Sequence, residues 1–570
     1  RLEEVDLAGA EIGEFVASRL DATGCTFTGA RLDGAVLDGA TLDGARLDGA
    51  SLVRATAPGS SLEGASLRGA NLSGASLDGA TLTSADLGDA NLDEASLGDA
   101  RLDGASLRGA SLRGVDLSAC VLDGASLEGA VLARAKAHGV DLASIGVPKD
   151  LSGADLEGAR LGGADLRGTT LVGARLDDAE LDGADLTGVD AAGASFANAK
   201  LVGACFEGAN LAGANLAGAD LTRALLGGAK LAGADLTGAR LTGATLDGAS
   251  FEGSTWDGAD LAGASFGASA LRGASLAGAR LGAVDLAGRD LEGCDLRGAD
   301  LGGALLERAN LEGATLDEAN LRSADLRGAK LDGASLAGAD LADARLDGLD
   351  LRKADLRGAK LDGVDLRGAR IWKQNLSGCD LTRAKVTGAA IVQTLLEGCL
   401  AAGVDFTGCD LTNSTLAEAD LAGANLAGVL AKQASFARAV LTGANLARIR
   451  GLRVNLRGAT LDDADLTGAS LVDACIEEAK LARVMAEGAD FTRSRFTKSE
   501  LVGARLRGAS LKWANLAHAD LRGADLRDAD LEAANVHRAK RDGANLTGAR
   551  TKDLVDTDPE RARAEDFQPG

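Results

Sequence analysis

Eight cysteines, three histidines and 84 acidic side chains are the groups in this 570-residue chain with the means to do chemistry. Thiols with imidazoles point to zinc or to a disulfide framework, and paired carboxylates point to glycoside hydrolysis. The spacing argues against each. No Cys-x-x-Cys pair occurs. Cys25, Cys120, Cys294, Cys379, Cys399 and Cys409 stand where alanine recurs, and Cys205 and Cys475 take a polar position. The simplest account is thiols in place of alanine, kept reduced. Cys379 and Cys399 are 20 residues apart. His138, His518 and His537 are scattered at outward positions. His518 and His537 lie 19 apart, a spacing that sets them close on neighbouring turns, but no cysteine is in phase with them. No catalytic, cofactor-binding or metal residue is assigned, and no cofactor is expected.

The elements that must position these groups follow one beat. Leu151, Leu156, Leu161, Leu166 and Leu171 open a run of centres, apolar but for a few such as Arg541, whose phase returns every fifth residue to Leu546 without slipping. That period is neither the 2.0 of a strand nor the 3.6 of a helix, so the chain must turn a corner every five residues. Around each centre the unit reads Ala, polar, Leu, variable, Gly, as in Ala154-Asp155-Leu156-Glu157-Gly158 and Ala324-Asp325-Leu326-Arg327-Gly328. Leu and Ala alternate with the polar residue, so both point inward. Gly suits a corner of positive φ. A uniform stack of such units leaves no cleft for a carboxylate pair.

With these motifs the chain resembles the pentapeptide repeat family, Ala-(Asp/Asn)-Leu-X-Gly. The resemblance implies an all-β fold, a right-handed quadrilateral parallel β-helix. There are 30 centres from Leu2 to Val147 and 80 from Leu151 to Leu546, or about 27 coils in a single rod of about 130 Å. Some relatives are DNA mimics that bind type II topoisomerases. Other large members resemble an adaptor domain fused to a long rod in settings of type VI secretion.

The departures from the beat define expected parts. Residues 1–147 form an N-terminal repeat rod, with a candidate helical cap or insertion at 13–22. The phase breaks at 148–150, where Pro148 lies and Leu151 follows Val147 after only four residues. A kink or bulged corner near 144–150 is expected to separate this rod from the main one, 151–550. In the tail, 551–570, Asp558-Pro559-Glu560-Arg561 reads as a cap and first turn, giving either a short helix near 559–566 or a frayed end. Phe567 would pack on the last coil.

The net charge of −24 is unevenly spread: −26 over 1–350, +5 over 351–550 and −3 in the tail. Direct nucleic-acid binding is not expected of such a chain, and no apolar run is long enough for a membrane span. One corner column departs from glycine throughout: Lys353, Lys373, Gln393, Asn413, Gln433, Arg453, Asp473, Arg493 and Trp513. The preceding corner, Gly348 to Gly508, loses glycine only at Arg448. Alternating Arg453, Asp473 and Arg493 form a candidate salt ladder, and Gln393, Asn413 and Gln433 a candidate amide ladder. With outward Trp372, this column is the candidate partner-binding edge, because Trp and Arg anchor interfaces. The alternative is a different turn type with no partner. Ala431 and Gly451 stand at centres beside Leu430 and Leu452, so the phase shifts or the wall dents there.

The expected function is a non-enzymatic scaffold or protein-interaction rod in a bacterial cytoplasm, its partner a protein such as a secretion-system component. The alternative is a DNA-mimic inhibitor or protector of a type II topoisomerase.

Overall fold

A computed structural model describes residues 2, 4–269 and 271–566. The backbone hydrogen bonds explain the motif. In the unit Asp185–Val189 all five N–H groups are satisfied. Asp185 donates to Ala164 O of the coil before (2.9 Å), while Leu186 and Gly188 donate to Cys205 O and Glu207 O of the coil after (2.7 and 2.8 Å). Val189 closes the turn onto Leu186 O at 3.1 Å. The remaining N–H, of Thr187, donates to Asp185 Oδ1 at 3.0 Å. This is why Asp or Asn recurs at the polar position: its side chain accepts the one N–H that the stack leaves over. The corner is a type II turn, with Gly188 at φ 68.

The chain forms two compact units, Arg1–Val284 and Asp285–Gly570. In unit 1 parallel bridges link residues 20 apart, from Asp6↔Thr26 to Asp260↔Arg280. Its core is a column of inward Leu and Ala, with buried aromatic side chains at Phe251, Trp256 and Phe266. The Trp256 ring meets Phe251 edge-on at 5.0 Å, and its Nε1 donates to the buried Ser254 Oγ at 2.6 Å.

Residues 13–22 are not helical. Val16 bridges Val36, and Glu14 and Arg19 take the left-handed corner at φ 52 and 59. The corner needs a backbone conformation rather than a glycine, so the irregular sequence keeps the regular fold. At the phase break a four-residue helix, α1 (Leu142–Ile145), occupies the short coil. Bridges there link residues 19 apart, as in Val131↔Asp150 and Asp141↔Arg160, and return to 20 at Asp150↔Thr170. The missing residue is absorbed by a local change of register, and the ladder runs across it within unit 1.

Unit 2 repeats the pattern from Asp285↔Leu305 to Asn535↔Val555. Two short strands, β1 (Arg370–Trp372) and β2 (Ala390–Val392), pair in parallel with Ile371 opposite Ile391. The phase holds through Ala431 and Gly451: Ala431 is buried, while Leu430 and Leu452 face outward. Leu471 from the next coil leans towards Gly451, so that a Cβ there would meet its Cδ2 at 2.6 Å. A helix, α2 (Pro559–Asp566), ends the described chain. Phe567 lies outside the described residues. Among the described residues no helix is long and apolar enough to cross a membrane.

Candidate partner-binding edge

Eight of the nine non-glycine corners adopt the glycine conformation. Lys373, Gln393, Asn413, Gln433, Arg453, Asp473, Arg493 and Trp513 all have φ between 54 and 59. A side chain in this region costs about 1 kcal/mol relative to the ordinary helical region. Elsewhere such corners run for at most four coils, as in Glu478, Lys498, His518 and Arg538, and some alternate with glycine. The Arg54 stem lies over Gly74 and the Glu94 carboxylate over Gly114, and a Cβ on either glycine would meet it at 3.4 and 2.8 Å. Along this column no glycine intervenes, so the side chains stand in file.

Lys353 is the exception. Its carbonyl accepts from Gly333 N–H at 3.2 Å, one residue later than the register that Gly338 keeps with Arg357. Its Nζ lies 2.6 Å from Asp332. Beside it the coil-to-coil ladder is carried by a side chain. The Gln374 amide donates to Ala354 O at 2.6 Å and accepts from Leu356 N–H at 3.0 Å. Arg383 spans three coils, reaching Asp362 at 2.8 Å and Asp343 at 2.6 Å. Backbone bonding resumes at Leu366, which donates to Lys385 O. Sequence reasoning passed over Gln374 and Arg383. The available signal was a long amide at a position that the repeat reserves for alanine.

Two tryptophans lie on this edge, and past Trp513 the file of non-glycine corners continues through Ala533 and Asp553 at φ 55 and 56. Trp372 is 40% and Trp513 54% exposed. Lys373 Nζ stands 4.1 Å from the Trp372 ring centroid, and Trp372 Nε1 donates to Gln393 Oε1 at 2.9 Å. In the middle, among the described residues, no side-chain hydrogen bond joins Gln393, Asn413 and Gln433. Arg493 grips Asp473 with two bonds, 2.7 and 3.1 Å. That hydrogen bond holds the Asp473 carboxyl below its usual range. A polar groove of about 880 Å³ opens here, lined by Arg453, Arg457, Arg493 and Arg495 around Asp473, Glu477 and Cys475.

Elsewhere Cys25, Cys294, Cys399 and Cys409 are buried and Cys120, Cys205 and Cys379 half-buried, and none of them forms a disulfide. Burial pushes Cys120 and Cys409 up to about 12. The Cys379 thiol donates to Cys399, which raises Cys379, with burial adding to it, and lowers Cys399. Cys120, Cys379 and Cys409 stay protonated and are poor nucleophiles and ligands. Many of the carboxylates are taken up by turns and ion pairs. Arg352 binds Asp350, Arg357 binds Asp355 and Arg527 binds Asp525, each at 2.6 Å, because residues two apart share the outer face.

A five-residue turn repeated on a 20-residue ladder defines a β-helix solenoid. The chain belongs to the pentapeptide repeat family: the family model "Pentapeptide repeats (8 copies)" matches residues 1–83, 85–144, 150–188, 192–255 and 294–548. Its gap at 145–149 coincides with the phase break. Among solved structures the chain is similar to HetL, a pentapeptide repeat protein involved in heterocyst differentiation regulation from Nostoc sp. strain PCC 7120. The identity is 28% over 42% of this chain and 90% of HetL, with a TM-score of 0.15. It is also similar to QnrB1, a plasmid-mediated fluoroquinolone resistance protein, at 24% identity over 34% of this chain and 90% of that one, TM-score 0.19. No curated protein matches.

Proposed function

We propose that this chain is a non-enzymatic scaffold of the bacterial cytoplasm that binds a protein partner along the Lys353–Trp513 column. Four pentapeptides close each coil into a right-handed quadrilateral, about 27 coils in all, and the corner column presents a straight file of side chains. The observation that carries this reading is the column itself. Eight consecutive left-handed corners from Lys373 to Trp513 hold large side chains where glycine is cheaper, and two tryptophans on this edge, Trp372 beside the first corner and Trp513 at the eighth, are exposed. Backbone strain held corner after corner along one edge points to function, and Trp and Arg are the residue types that anchor interfaces. The chain would then be the repeat part of an adaptor such as a type VI secretion accessory protein. The test is capture from the source cells with the native chain and with Trp372→Ala/Trp513→Ala. A specific partner should be retained by the first and reduced about tenfold or more with the second. Equal recovery with both chains would refute the edge.

A second reading has its own observation. The charge of −26 over residues 1–350 favours mimicry of DNA towards a type II topoisomerase such as gyrase. Dose-dependent inhibition of gyrase supercoiling, weakened by added salt, would place this reading first.

A further inference from the structure

No residue of α2 is buried, and polar contacts tie it to unit 2. The contacts converge on one atom. Glu565 Oε2 lies 3.3 Å from His518 Nε2 and 3.3 Å from His537 Nε2. The two rings stand edge to face, 5.7 Å between centroids. One ligand atom from each of the three side chains falls within 4.8 Å of the others. The His537 side chain is 2% exposed and Glu565 29%, so the cluster has a dry wall and an open side.

We propose that His518, His537 and Glu565 form a binding site for a zinc-class divalent metal ion that clasps α2 to the solenoid. Two imidazole nitrogens and one carboxylate oxygen suit zinc and its neighbours rather than calcium or magnesium, which prefer all-oxygen shells. With metal–ligand bonds of about 2.0–2.1 Å, tetrahedral geometry sets two ligand atoms about 3.3 Å apart. Each histidine already has that separation from the carboxylate oxygen. The histidine nitrogens must close on each other, and the half-buried His518 ring is the one with room to turn. Water from the open side completes the shell.

The neighbours define what loading must change. Asp558 N–H donates to His537 Nδ1 at 3.2 Å, so a neutral His537 carries its proton on Nε2, facing Glu565. Metal at Nε2 moves that proton to Nδ1, and the exposed Asp558 peptide turns away. Arg538, 3.6 Å from Glu565 Oε2, yields that oxygen and keeps Asp566 at 2.6 Å. Arg561 holds the other oxygen, Oε1, at 3.0 Å and so orients the carboxylate.

The experiment is titration of the full chain, stripped with chelator, with Co²⁺ as probe. One equivalent should bind with the intense visible absorption of tetrahedral cobalt, without a sulfur charge-transfer band, and should slow trypsin cleavage after Arg561 and Arg563. Glu565→Gln and His518→Ala, checked for unchanged circular dichroism, should bind about tenfold more weakly or worse and lose the protection. No stoichiometric uptake overturns the proposal. So does a cobalt–thiolate spectrum, or uptake that Glu565→Gln leaves intact, which marks an adventitious ion only.

Discussion

At the scale of single residues, the corner conformation decides which substitutions matter. Gln433 sits at φ 55, a region that a short or straight side chain enters at modest cost and a β-branched one resists. Gln433→Val should lower stability by about 1–2 kcal/mol, and Gln433→Gly should leave it within about 0.5 kcal/mol or raise it slightly, because lost strain offsets the freer unfolded chain. Urea unfolding of the two variants checks the sign. A valine variant as stable as the native chain would refute the strain argument. Trp256 is a different case. It fills a centre position and is fully buried, so Trp256→Ala should remove about 3–5 kcal/mol from unit 1, seen as faster amide exchange around Phe251 and Phe266. The inward Leu and Ala were legible from the five-residue beat. The left-handed conformation of Gln433 was not, because sequence shows that glycine is missing without showing whether the turn changed or the new residue accepted the strain.

At the scale of elements, the coil is the unit and the ladder is its bond. Where Gln374 replaces two backbone partners, both Ala354 O and Leu356 N–H depend on one side chain. Gln374→Ala should leave them unpaired at a cost of about 1–3 kcal/mol each. The Leu356 amide should then exchange with solvent faster, while Leu366, past the interruption, stays protected. Equal protection at both sites would mean that the backbone closes the gap unaided. The phase break makes the complementary point. The break near Pro148 was legible because a beat of five exposes a single missing residue. Its form was not: α1 and the 19-residue bridges absorb the deletion within one coil, as an irregular corner needs fewer residues than the ladder has bonds to hold it.

At the scale of the whole molecule, acid should be the weak condition. The Arg352 and Arg527 guanidiniums hold Asp350 and Asp525 at about 2, against about 3.9 in an unfolded chain. A depressed carboxylate contributes stability that is complete above the unfolded value and lost as pH falls through the folded one. Melting followed by circular dichroism should therefore show the thermal midpoint falling between about pH 4 and pH 2, with little change from pH 7 to pH 5. A midpoint unchanged down to pH 2 would show that these pairs contribute nothing. What the sequence determined by itself is the solenoid, the inward columns and the column without glycine, because a period of five fixes which residues share a face and which stand 20 apart. The tertiary structure alone decided how the exceptions are built. Gln374 had to be seen threading between coils, and Glu565 had to be carried back by α2 to meet His518 and His537. Gln374 keeps the phase but bridges the coils with its side chain, and Glu565 lies outside the repeat, whereas periodicity speaks only for the face that a repeat residue takes.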